Sequence, residues 1–142
     1  MADELASANV NRAYTLAALS IAIFTFTLFF MYPRFLNGEI NPWLFQATLV
    51  LMGVATFAFV LASFSYYCVS AMGHLGDTER RLWSRRGDRF WLLGYTLLFF
   101  APSLILFSIG LRAVAGAWFA LWVVYLVFVI RYFPKMLTPR QG

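Results

Sequence analysis

The second long apolar segment contains six small or weakly polar residues. They are the best candidates in this chain to line a pore or to form a contact between helices. They recur at spacings of three, four or seven residues and therefore lie close to one helical face. This polar stripe consists of Gln46, Gly53, Thr56, Ser63, Tyr67 and Ser70. In a membrane, such residues face protein or water rather than lipid. Two interpretations stay open: a pore lining formed by several copies around an axis, and a packing seam between helices.

A proline near the middle of the third apolar segment is the next candidate. Pro102 has no backbone N–H, so a helix there loses the hydrogen bond to the carbonyl of Leu98 and bends. The bend is either the hinge of a gate or a fixed feature that shapes the bundle. Trp118 and Trp122 lie one turn apart inside the fourth apolar segment, away from the boundary positions that Trp prefers. We expect both to pack against another helix, and contact with a lipid or a ligand is the alternative.

The residue types that catalysis and metal binding require are scarce. The chain has 1 His and 1 Cys, so Cys68 has no internal disulfide partner and a zinc site with about four ligands cannot form. No ionisable residue lies at the centre of an apolar segment, which argues against a proton relay, a pump or a voltage sensor. We therefore expect no enzyme activity, no metal and no cofactor.

A basic segment separates the second and third apolar segments and reads GDTERRLWSRRGDRF. Each Arg close to an anionic leaflet contributes about 1 kcal/mol to lipid binding. We expect these side chains to contact anionic lipid or an acidic partner, and not nucleic acid, because the segment is short and lacks a recognition fold. They are Arg80, Arg81, Arg85, Arg86 and Arg89.

The composition determines which solvent must surround these residues. Of the 142 residues, 62% are hydrophobic and only 12% are charged, against about 25% in ordinary soluble domains. A soluble domain of this size cannot bury so much apolar surface. The sequence predicts an integral membrane protein, which we place in a bacterial inner (plasma) membrane.

Charged residues divide the chain into four long apolar segments. The uncharged runs between Arg12 and Arg34, Glu39 and Asp77, Arg89 and Arg112, and Arg112 and Arg131 contain 21, 37, 22 and 18 residues. A helix crosses the hydrocarbon layer with about 20 apolar residues, and only helices or closed barrels satisfy the backbone there. We predict a single all-α transmembrane domain over residues 1–142. Its helices are expected at about Ala13–Tyr32, Trp43–Met72, Phe90–Leu111 and Ala113–Phe133, with a basic cytoplasmic loop over residues 73–89.

The distribution of Lys and Arg predicts the orientation. Nine of these residues lie at the termini and in the basic segment, whereas only Arg34 and Arg112 lie on the opposite side. The positive-inside rule then places both termini in the cytoplasm. The short connections around Gly38 and Gly110 predict two antiparallel helical hairpins.

Two functions compete on this evidence. The first is a homo-oligomeric channel or pore lined by neutral polar residues, which we place first because two helices carry more polar side chains than one bundle needs for packing. The alternative is an accessory or assembly subunit of a larger membrane complex. A membrane enzyme or a carrier of a hydrophobic ligand is disfavoured, because the acid–base groups are missing.

Overall fold

The computed structural model is all-helical and describes the backbone of residues 2–71 and 76–137, with side chains for residues 7–71 and 76–131. Its four helices are α1 (Ala2–Leu36), α2 (Pro42–Ala71), α3 (Asp77–Ser108) and α4 (Arg112–Leu137). Each contains a stretch that is long and apolar enough to cross a membrane. The expectation of an all-α protein with four potential transmembrane helices is confirmed.

Two helices extend well beyond the boundaries that hydropathy predicts. α1 continues through Pro33 to Leu36, and α3 begins at Asp77 instead of Phe90. Residues 77–89, expected as loop, are therefore helical, and residues 73–75 of that expected loop lie outside the described part. Charged residues end an apolar run but not a helix, because Arg and Glu are good helix formers. Asp77 and Glu79 also lie in the first turn of α3, where negative charge complements the helix dipole.

Short connections join α1 to α2 and α3 to α4. Gly38 (φ 71°) lies between α1 and α2, and Gly110 (φ 84°) lies between α3 and α4. Glycine adopts these positive φ values without steric cost. The side-chain oxygen of Asn41 accepts hydrogen bonds from the backbone N–H groups of Trp43 (3.1 Å) and Leu44 (3.2 Å), and thereby caps the start of α2.

The packing is centred on α2. This helix makes its most extensive contacts with α3 and slightly smaller ones with α1, whereas α4 packs chiefly on α3. In the most apolar stretch of α2, 39% of the residues are buried, but the figure for α4 is 6%. α2 is therefore the most buried helix, and α4 exposes most of its surface to the surroundings.

Large side chains of α2 pack against small residues of α3, and we call this contact the α2–α3 seam. A Cβ atom added at Gly87 would lie 2.9 Å from the ring of Tyr66, and one added at Gly94 would lie 2.8 Å from the ring of Phe59. Further seven-residue steps from these contacts lead to Met52 and Phe45 on α2 and to Ala101 and Ser108 on α3, and all these positions are buried. The seven-residue repeat on both helices is typical of left-handed helix pairs, in which side chains of one helix fill the gaps of the other.

Candidate functional site

The polar stripe divides into two lines on α2. Gln46, Gly53 and Tyr67 are exposed, Ser63 is buried, and Thr56 and Ser70 are half-buried. A step of three residues on an α-helix turns by about 300°, so the line of positions 56, 63 and 70 lies about 60° away from that of positions 46, 53 and 67. The line of positions 46, 53 and 67 faces outward and is called the outward line. The line of positions 56, 63 and 70 turns towards the rest of the molecule and is called the inward line. The structure does not gather the six residues on a single surface.

Hydroxyl groups of the inward line are used within the chain. The Thr56 hydroxyl lies 2.8 Å from that of Ser20 on α1, and it donates to the backbone carbonyl of Met52 at 2.9 Å. Ser70 donates to the carbonyl of Tyr67 at 3.1 Å. Such bonds satisfy hydroxyl groups in an apolar medium and hold neighbouring helices together. Only the Ser20–Thr56 bond crosses from α1 to α2, and it is the contact expected of a packing seam between these helices.

Ser63 differs from the other hydroxyl residues of the stripe. Its side chain is 1% exposed, and its Oγ has no hydrogen-bond partner among the described residues. A buried polar atom without a partner costs free energy, since it has lost its hydrogen bonds to water. Ser63 therefore fits its site as a small residue rather than as a polar one.

The outward line is polar only near its two ends. Gln46 borders a surface groove of about 500 Å³ between α2 and α3, beside Trp43, and Tyr67 is exposed near the other end of α2. The exposed positions between them carry large apolar side chains. They are Val50, Val54, Phe57, Val60 and Phe64. The middle of this face therefore suits contact with lipid or with another apolar helix.

Three hydrogen bonds attach α4 to the region of α3 around Pro102. The indole N–H of Trp118 donates to the carbonyl of Phe99 (3.0 Å), and that of Trp122 donates to the carbonyl of Thr96 (2.9 Å). Ser103 donates from α3 to the carbonyl of Ala115 at 3.1 Å. The expectation that both Trp residues pack against another helix is confirmed. These bonds attach α4 to the segment around Pro102, which lies inside the continuous helix α3.

The arginines of the basic segment lie on the first turns of α3. Arg81, Arg85, Arg86 and Arg89 are exposed, whereas Arg80 is half-buried. The guanidinium carbon of Arg86 lies 5.2 Å from the ring centre of Trp83, within range of a cation–π interaction. The helix holds the exposed arginines at fixed spacings instead of dispersing them along a flexible loop.

Sequence reasoning missed a polar contact at the same end of the molecule. The hydroxyl of Tyr66 on α2 donates to a carboxylate oxygen of Asp88 on α3 at 2.6 Å. Sequence reasoning also missed the α2–α3 seam, although Gly87, Gly94 and Ala101 recur every seven residues. Seven-residue spacing of small residues indicates a helix contact, but finding its partner requires the register of the opposite helix.

Neither the metal-binding residue types nor comparison with known proteins assigns a function to this chain. Within the described part of the chain, no group of three or more His, Cys, Asp or Glu side chains lies close enough to hold a metal ion. Cys68 is buried. No protein-family model, curated protein or solved structure matches this chain.

Proposed function

We propose that this chain is an accessory or assembly subunit of a larger membrane complex. The observation that carries the proposal is the use of the hydroxyl residues within the chain. Ser20 and Thr56 bond to each other, and Ser63 is buried. Internal packing thereby accounts for Thr56 and Ser63, whereas Gln46, Gly53 and Tyr67 stay exposed. This use of the inward line weakens the case for a pore lined by the whole stripe.

Two surfaces are suited to a partner under this proposal. α4 leaves most of its apolar surface uncovered within the subunit, and the first turns of α3 carry exposed arginines. Apolar surface of this kind packs against a neighbouring helix by van der Waals contact. The arginines then contact anionic lipid or an acidic segment of the partner.

We also propose a topology, in which the helices form two antiparallel hairpins and both termini lie in the cytoplasm. The two short connections are consistent with two antiparallel hairpins, and the nine-to-two division of Lys and Arg supports cytoplasmic termini. A bacterial inner (plasma) membrane is the location that we propose. In this orientation the arginines of α3 lie at the cytoplasmic surface.

A homo-oligomeric channel is the second candidate, and the exposed line of α2 favours it. Gln46, Gly53 and Tyr67 lie on one outward face, which would surround an axis if several copies met there. The apolar side chains between them would then form a hydrophobic constriction, which can gate a pore by losing its water.

The native mass of the purified full-length chain in lipid nanodiscs tests the two candidates. We expect a different membrane protein to be retained in fixed ratio with this chain. A closed homo-oligomer of three or more copies, together with ion flux in liposomes, would contradict the accessory role and support the channel.

Variants of the basic segment refine the test. Replacing the four exposed arginines of α3 with Gln should reduce the amount of retained partner. The matched control replaces Arg34 and Arg112, the two basic residues on the opposite side, and should leave it unchanged. Equal retention in both variants would show that the arginines do not contact the partner.

A further inference from the structure

Two neighbouring cavities follow the same faces of α1 and α3. The first has a volume of about 210 Å³ and is lined by Asn9, Arg12, Tyr66, Asp88 and Trp91. The second has a volume of about 310 Å³ and lies next along both helices. Its lining includes Leu16, Leu19, Tyr95, Leu98, Pro102 and Trp118.

Helical spacing places the two cavities in line. On α1 the lining positions are 9, 12, 16 and 19, and on α3 they include 88, 91, 95, 98 and 102. Steps of three and four keep residues on one side of a helix. From Asp88 to Pro102 the helix rises by about 21 Å, more than the roughly 15 Å depth of one leaflet's hydrocarbon layer. The first cavity, a polar chamber, and the second, an apolar groove, are therefore aligned along the direction in which a lipid lies.

The polar chamber contains both signs of charge. The Tyr66 hydroxyl donates to one oxygen of Asp88, and this bond orients the carboxylate at the chamber wall. The exposed Arg12 lines the chamber from α1 and Trp91 lines it from α3. A guanidinium group binds phosphate through paired N–H donors, whereas a carboxylate and an indole ring both attract an ammonium group.

The apolar groove lacks charged groups among the side chains that line it. Leu16 and Leu19 come from α1, Leu98 and Pro102 from α3, and Trp118 from α4. The indole N–H of Trp118 already donates to the carbonyl of Phe99, so the ring presents apolar surface. Such a groove accommodates an acyl chain through van der Waals packing, because the surrounding lipid is as apolar as the groove.

We infer that the α1–α3 face binds one aminophospholipid, with a phosphoethanolamine head group in the polar chamber and an acyl chain in the groove. Arg12 contacts the phosphate, and Asp88 and Trp91 contact the ammonium group. The inference holds whether the chain acts as an accessory subunit or as a channel.

Lipid retention by the purified full-length protein tests this inference. The protein is offered equal amounts of phosphatidylethanolamine, phosphatidylcholine and phosphatidylglycerol carrying the same acyl chains, and the bound lipids are counted by native mass spectrometry. We expect preferential retention of one phosphatidylethanolamine. Arg12→Gln and Asp88→Asn should each weaken it about ten-fold, the effect of losing one charge-assisted hydrogen bond.

Matched variants separate this site from general lipid adhesion. Arg34→Gln and Asp77→Asn remove the same charges at exposed positions that do not line the chamber, and they should retain the lipid as the parent protein does. Equal retention of the three lipids, or full retention by Arg12→Gln, would overturn the inference. Arg12 is exposed, so its replacement leaves the packed helices intact.

A second arm distinguishes a lipid from a soluble aminophosphate. Leu19→Trp fills the groove at a half-exposed position and should lower retention, whereas Ile23→Trp, which does not line the groove, should not. Soluble glycerophosphoethanolamine should fail to displace the lipid at equal concentration. Displacement by this compound, with no effect of Leu19→Trp, would assign the chamber to a soluble ligand and overturn the lipid assignment.

Discussion

Gly94 lies in the α2–α3 seam, where the Phe59 ring leaves no room for a side chain at this position. A Cβ atom there would lie 2.8 Å from the Phe59 ring, closer than the two groups can approach without a shift. Gly94→Ala should therefore lower the free energy of unfolding by about 1–3 kcal/mol, the usual cost of overfilling a packed site. Unfolding of the purified protein in mixed micelles measures the change.

Two further variants show whether the contact itself is responsible. Gly116 has open space where its Cβ would lie, so Gly116→Ala should leave stability unchanged or raise it slightly. Phe59→Leu introduced together with Gly94→Ala should recover part of the loss, because the smaller side chain makes room. If the two substitutions were strictly additive, the proposed contact between residues 59 and 94 would be wrong.

Ser63 provides a prediction that separates packing from pore lining. Ser63→Ala removes a buried hydroxyl that has no partner among the described residues, so stability should stay equal or increase. Ser63→Leu should instead destabilise the protein by about 1–3 kcal/mol through overfilling. Thermal unfolding of both variants provides the measurement. Unchanged stability in Ser63→Leu, combined with blocked ion flux, would support the channel instead.

At the scale of elements, α4 depends on a few specific contacts with α3. Trp118 and Trp122 each donate one hydrogen bond to an α3 carbonyl. Replacing either with Phe keeps most of the apolar surface and removes the donor, which should cost about 0.6 kcal/mol, a typical value for hydrogen bonds between membrane helices.

The control for this prediction is a Trp outside the helix contacts. Trp43 is 80% exposed at the start of α2, and Trp43→Phe should leave the unfolding transition unchanged. A double variant of Trp118 and Trp122 should lose roughly the sum of the two effects if each bond acts independently. Equal stability of the double variant and the parent would show that these bonds do not hold α4.

The number of helices followed from the sequence, whereas their lengths and faces did not. Long uncharged runs identify spanning segments because each charge in a bilayer core costs several kcal/mol. That criterion cannot find the helical turns from Asp77 to Arg89, since helix formation in water depends on propensity and capping. Nor could the spacing of the polar stripe reveal that Thr56 and Ser63 face inward while Gln46 and Tyr67 face outward. That division depends on which sides of α2 are covered by α1 and α3.

At the scale of the whole molecule, the orientation that we propose predicts which residues a membrane-impermeant thiol reagent reaches. Arg85 is exposed on the first turns of α3, and Asn37 is exposed in the connection between α1 and α2. Arg85→Cys should be labelled only from the cytoplasmic side, in inverted vesicles. Asn37→Cys should be labelled only from the opposite side, in intact cells stripped of any outer barrier.

The chain supplies its own background control for this experiment. Its single cysteine, Cys68, is 2% exposed, so the parent protein should remain unlabelled until it is unfolded. Nine of the eleven Lys and Arg residues lie on the side proposed to face the cytoplasm, and this imbalance sets the orientation during insertion. If Arg85→Cys were instead labelled from outside, the proposed topology would be inverted, and the arginines of α3 could not contact the anionic inner leaflet.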